Sequence, residues 1–170
     1  MRLIVSITRK PSPEPPLLRE VIAAGLSWKD DDKIVHYLAR KDDYKTETDM
    51  WLAIVMAVNK SDVTPYGWNI RNDIWPCICL NTVKHGVSSS RLQPLTEKWQ
   101  KTMLGELSTI ANQGFYGETP SAREVYKFLF GEDVEALDEE QRFLSVGPKE
   151  LEENSYKEHV AYHRMLEAYR

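Results

Sequence analysis

Three features of the sequence predict an α+β fold, with a small sheet from the N-terminal half packed against a central buried helix and a C-terminal run of helices. The longest unbroken apolar run, Met50–Val58, is bracketed by helix caps and not by turn residues. Two β-rich segments of alternating character precede it. The second half carries helix start and stop signals one after another.

Residues 2–9 set Leu3, Val5 and Ile7 against Arg2, Ile4, Ser6 and Thr8, a period-two pattern that predicts a strand tied into the sheet. Pro11, Pro13, Pro15 and Pro16 enforce an extended linker, because each proline biases its predecessor away from helix. Leu17–Ala24 reads as a short helix stopped by Gly25. Asp30, Asp31 and Asp32 make a polar turn, and Lys33–Arg40 alternates again as a second strand. In the central helix, Thr46 and Asp49 approximate a capping box, while Asn59, Lys60 and Ser61 close the run. An irregular aromatic stretch, residues 66–76, leads into Cys77–Val83, which reads as a third strand. Gly86 to Ser90 is a loop. Thr96 caps an amphipathic helix ending at Gly114, with Trp99, Met103, Leu107, Ile110 and Ala111 on one face. Ser121 and Glu124 form a capping box for the next helix, which Gly131 stops. Gly147 and Pro148 open a last helix that runs to Arg170.

The 170 residues are expected to form one domain over 1–170, long enough to bury a core without staples. Apolar content of 42% and charged content of 28% are those of a soluble globular chain. A net charge of −4 and a pI near 5.6 argue against nonspecific coating of nucleic acid. The charge is uneven. Glu132 to Glu153 holds nine acids against Arg142 and Lys149, whereas residues 1–131 are close to neutral. With only Cys77 and Cys79 as thiols, no signal-like N-terminus and no apolar stretch of membrane length, the expected location is cytoplasmic, with no membrane partner.

Candidate chemistry is sparse. His159 and His163 stand four apart on a predicted helix and share a face, but a closed zinc site needs four ligands, so no metal is expected there. Cys77 lacks a placed base, either His36 or His85, and reads as a small buried hydrophobe. Ser88, Ser89 and Ser90 beside Arg91 lack any glycine-rich phosphate loop. Tyr66, Trp68, Arg71 and Trp75 offer an aromatic-Arg stretch of the kind enriched at interfaces, or a roof over the core. Glu132, Asp133, Glu135, Asp138, Glu139 and Glu140 lie between two predicted helices, where few side chains can neutralise them, and suit a basic partner.

Asp30, Asp31 and Asp32 at a strand edge are a carboxylate cluster of the kind that binds Mg²⁺. Their setting, Leu17–Lys41 with Trp28, the Asp run and Lys-Ile-Val-His-Tyr, resembles one segment of Holliday-junction resolvases of the RusA type. The resemblance covers about a seventh of the chain. It implies Mg²⁺-dependent nuclease chemistry, with an aspartate pair before the strand and further aspartates at the start of the preceding helix. Those earlier positions fall here in Pro11–Pro16, where Glu14 is the one acid.

Two functions follow as expectations. The first is a non-enzymatic interaction or inhibitor protein with no cofactor. It binds a macromolecular partner, a protein with a basic surface, through the acidic segment and the aromatic-Arg stretch. The alternative is a Mg²⁺-dependent nuclease or nucleic-acid-processing protein using Asp30–Asp32.

Overall fold

A computed structural model describes residues 1–59, 63–87, 104–109, 120–144 and 147–169. The sheet has five strands in the order β3-β2-β1-β4-β5, formed by β1 (Arg2–Arg9), β2 (Val21–Asp30), β3 (Lys33–Arg40), β4 (Thr64–Gly67) and β5 (Gly105–Glu106). β2 runs antiparallel to both of its neighbours, β1 and β3; β4 runs parallel to β1, and β5 parallel to β4. The α+β class and the N-terminal sheet are therefore as the alternation in residues 2–9 and 33–40 predicts. β1 lies at the centre of the sheet, which is why it is buried on both faces.

Strand alternation sorts β1 into two different surfaces. Leu3, Val5 and Ile7 enter an apolar core with α1 (Glu47–Val58) and α2 (Trp75–Lys84). Ile4 joins a second core on the opposite face, with α3 (Ala122–Phe130) and α5 (Pro148–Ala168). A short α4 (Glu139–Phe143) lies between them in sequence and packs against β1. The sheet is thus sandwiched between two helical layers.

The central helix starts where its cap predicts. The Thr46 side chain accepts from the Asp49 backbone N–H, and Met50, Trp51, Ile54, Val55 and Val58 are buried. At α3 the Ser121–Glu124 capping box is complete on both sides. Gly131 ends that helix at φ 71°, a conformation that glycine adopts without Cβ strain.

Three expected elements differ. Leu17–Ala24 is not a helix: a 3₁₀ turn spans Pro16–Leu18, and β2 begins at Val21. Val21, Ala23, Ala24 and Leu26 are buried because β2 is flanked by β1 and β3 and covered on both faces, so its apolar run is continuous and hides the strand period. Cys77–Val83 is not a strand but most of α2. Its buried residues, Cys77, Ile78 and Thr82, continue at helical spacing from the buried Ile74 just before it, Pro76 sits in the first turn, and Leu80 is exposed. The helix expected from Thr96 to Gly114 lies largely outside the described residues, and its described part is corrected: Gly105–Glu106 form β5, paired with β4, in place of helix.

Candidate functional site

The second face of the sheet carries an unusual inner surface. Ser6 on β1, Ser27 on β2 and His36 on β3 point toward α5, whose buried stripe includes Ser155, Glu158, His159 and His163. His159 is fully buried at the centre. Its Nε2 lies 2.8 Å from Ser6 Oγ and its Nδ1 lies 2.6 Å from Ser27 Oγ. Ser27 Oγ continues to His163 Nε2 at 2.9 Å, and His36 Nε2 meets Ser155 Oγ at 2.9 Å. A Cβ on Gly25 would lie 2.5 Å from His159 Nε2, so glycine at this position is what lets the helix approach the sheet.

Ser27 has one hydroxyl proton and bridges two imidazole nitrogens, so it donates to one ring and accepts from the other. The tautomers of His159 and His163 are therefore coupled. Burial holds His159 well below the usual histidine range. Burial, helped by Lys29, brings His163 down to about 4. Both rings are neutral near pH 7.

Glu158, fully buried next to His159, faces Arg142 at 2.5 Å. Arg142 directs its N–H groups elsewhere: Nε donates to Thr8 Oγ1, Nη1 to the Ala136 carbonyl and Nη2 to the Ile7 carbonyl. The Glu158 carboxylate thus has a neighbouring charge without a well-aligned hydrogen bond. Burial accordingly pushes it up to about 7, against the opposing charge of Arg142.

The residues singled out in the sequence fall in several places. Asp31 and Asp32 form the exposed turn between β2 and β3, with Asp31 at φ 52°. The strand β2 runs directly into this turn, so the helix that the resolvase-like segment requires before the aspartates is missing. Among the described residues no group of three His, Cys, Asp or Glu side chains is arranged to hold a metal ion. His159 and His163 do share a face, but a serine hydroxyl stands between them and both nitrogens of His159 are hydrogen-bonded. Cys77 lies in the core on the opposite face of the sheet from His36, and burial raises its thiol to about 11. Tyr66 and Trp68 pack on the second core and Trp75 on the first, while Arg71 is exposed and donates from Nη2 to the Leu104 carbonyl.

The acidic segment is less bare than its sequence implies. Arg123 on α3 reaches Asp133 at 2.6 Å, Asp138 at 2.8 Å and Glu135 at 3.8 Å. Arg164 on α5 pairs with Glu132 at 2.9 Å and lies over the Phe130 ring. Glu139 accepts from both the backbone and the side chain of the buried Arg9. The expectation that few side chains neutralise these acids is corrected: the arginines come from α3, α5 and β1, which the fold brings close but the sequence separates. Among the described residues Arg123 is the ion-pair partner that these three carboxylates share, with Lys127 acting on Asp133 from farther off. A groove of about 520 Å³ opens beside it, lined by Tyr126, Glu132, Asp133, Glu135, Tyr156 and Lys157 among others.

No protein-family model matches the chain, and no curated protein matches it. Among the described residues no helix is long and apolar enough to cross a membrane. Ser6, Gly25, Ser27, Arg142 and Glu158 were not evident as a unit in the sequence. The available signal was polar residues at inward positions of strands, facing a helix that carries histidines four apart.

Proposed function

We propose that the protein is a non-enzymatic interaction protein that receives a basic segment of a partner protein in the groove between α3, the acidic segment and α5. The reading is supported above all by Asp133, Asp138 and Glu135, which share one ion-pair partner, Arg123, while Lys127 near Asp133 and Lys157 on the groove wall offset part of their charge. Glu135 remains 72% exposed and Tyr156 44% exposed, so the groove offers a carboxylate and a ring face to an incoming Lys or Arg. The aromatic-Arg stretch contributes Tyr66 and Trp68 to the core beneath this groove, and exposes Arg71 away from that core. If the basic segment is the partner's own working surface, occupying it makes the protein an inhibitor.

The test is fluorescence anisotropy with a labelled Lys/Arg-rich peptide, beside a DNA duplex of equal charge. Peptide binding is expected to weaken as salt rises, because exposed charges are screened. Glu135→Gln should weaken it by about two- to fivefold with an unchanged melting temperature. Preference for the duplex, or peptide binding indifferent to both salt and Glu135, would contradict the reading.

A further inference from the structure

The buried polar layer reaches the surface at one end. A cavity of about 350 Å³ lies where β1, β2 and the last turns of α5 meet, and His163 is part of its wall. The His163 Nε2 is taken by Ser27, while its Nδ1 has no hydrogen-bond partner among the described residues and is not one of the atoms sealed from water, so it opens on the cavity. Glu158 stands at the other end. The Ser6 hydroxyl that meets His159 Nε2 also favours the ionised Glu158 carboxylate, and Glu158 Oε1 lies 3.7 Å from the same Nε2. From cavity to carboxyl the order is His163, Ser27, His159, Ser6, Glu158.

Proton counting allows this chain two settings. Each hydroxyl has one proton and each neutral ring one N–H, so every member donates to one side and accepts from the other. With Glu158 ionised, Ser6 donates to it, His159 Nε2–H donates to Ser6, Ser27 donates to His159 Nδ1, and His163 Nε2–H donates to Ser27. The His163 Nδ1 is then bare. With Glu158 protonated, every donor reverses: Glu158 donates to Ser6, Ser6 to His159 Nε2, His159 Nδ1–H to Ser27, and Ser27 to His163 Nε2. The His163 Nδ1 then carries a proton. The two settings differ by that one proton and by no heavy-atom bond. We propose that the chain is a proton relay, in which a proton from solvent joins His163 Nδ1, each member passes its own proton one place inward, and Glu158 takes the last.

The surrounding groups agree with that end point. His163 faces Lys29 on β2 and Glu167 on α5, with Arg2 and the Met1 ammonium also on the cavity wall. His159 faces His36 on β3 and Arg142 on α4. Burial lowers the proton affinity of both rings. Glu158 faces Arg142, with Glu139 farther off on α4 and Tyr162 on its own helix, and burial raises its proton affinity. An added proton therefore rests on Glu158 and leaves both rings neutral. The cavity wall changes with it: His163 Nδ1 offers a donor when Glu158 is protonated and an acceptor when it is ionised.

The experiment is NMR on the full chain with isotope-labelled histidine and glutamate, since ring nitrogen shifts distinguish N–H from bare nitrogen. Between about pH 5.5 and 8.5, where neutral rings are expected, His159 and His163 should both change from Nδ1–H to Nε2–H. They should share one midpoint, that of the Glu158 carboxyl carbon. In Glu158→Gln each ring should keep one tautomer throughout. In Ser27→Ala, His159 should still switch while His163 does not, a separation that a merely structural role for Ser27 would not produce. If Ser27→Ala fails to fold, Ser6→Ala replaces it and should uncouple both rings from Glu158. Fixed tautomers in the unaltered chain, midpoints apart from that of the carboxyl, or switching that survives in Glu158→Gln or across the broken link of a folded serine variant would each overturn the relay.

Discussion

Gly25 is the residue on which the buried polar layer most directly depends. A methyl group there would meet His159 Nε2 at 2.5 Å, Ser155 Oγ at 2.8 Å and Ser6 Oγ at 2.9 Å, the atoms that link α5 to the sheet. None of the three can retreat cheaply, because His159 and Ser6 are each buried and hydrogen-bonded. Gly25→Ala should therefore destabilise the fold by about 1–3 kcal/mol in urea denaturation, the usual range for overpacking. The effect should shrink in a His159→Ala background, since removing the ring removes the clash. In the sequence Gly25 reads as a helix stop, the opposite of its role in the middle of a strand. Its real cause is a contact with a residue 134 positions away, and no local pattern contains that.

At the scale of elements, legibility follows how local the determinants are. Helix α1 was readable because its cap and its apolar run are contiguous, and α3 because its capping box and Gly131 are local signals. The strand β2 was not, since burial on both faces gives a continuous apolar run whose identity depends on its neighbours. The same reasoning divides the acidic segment. Glu139 holds the buried Arg9 through charge-assisted hydrogen bonds, with Asp73 on Arg9's other side at 2.5 Å. Glu140 has no such ion pair among the described residues. Glu139→Ala is thus expected to cost on the order of 2 kcal/mol, and Glu140→Gln less than about 0.5 kcal/mol. Equal losses in thermal or urea unfolding would show that Arg9 does not anchor this segment. The sequence displayed six similar acids; it could not show that one of them is a fastening.

For the whole molecule, the buried layer predicts how stability varies with pH. His163 titrates at about 4 in the fold against 6.5 when unfolded, and His159 and His36 are also lowered, all by burial. As pH falls below 6.5 the unfolded chain takes up protons that the folded chain refuses, so these histidines cost stability on acidification. Glu158 has the opposite sign: its folded value of about 7 lies above 4.5, so stability falls as pH rises between those values. Three histidines outweigh one carboxyl group. Stability should climb from pH 4.5 through 6.5 and level off near pH 7 as the histidines finish titrating, with a steeper climb in Glu158→Gln. Urea midpoints across this range check the sign.

The groove is assembled from the same long-range placements: Arg123 and Arg164 come from helices on either side, and the acidic segment is folded against them. Its acids were visible in the sequence, while the groove itself, Tyr156 and the sharing of one guanidinium by three carboxylates became apparent only from the packing. The most direct measurement is backbone amide shift mapping by NMR on addition of a Lys/Arg-rich peptide. Perturbations are predicted at Tyr126, at Glu132 to Ala136 and at Asn154 to Ala161, fading as salt is raised. Shifts confined to other surfaces, or shifts in the groove that persist undiminished in high salt, would contradict the account.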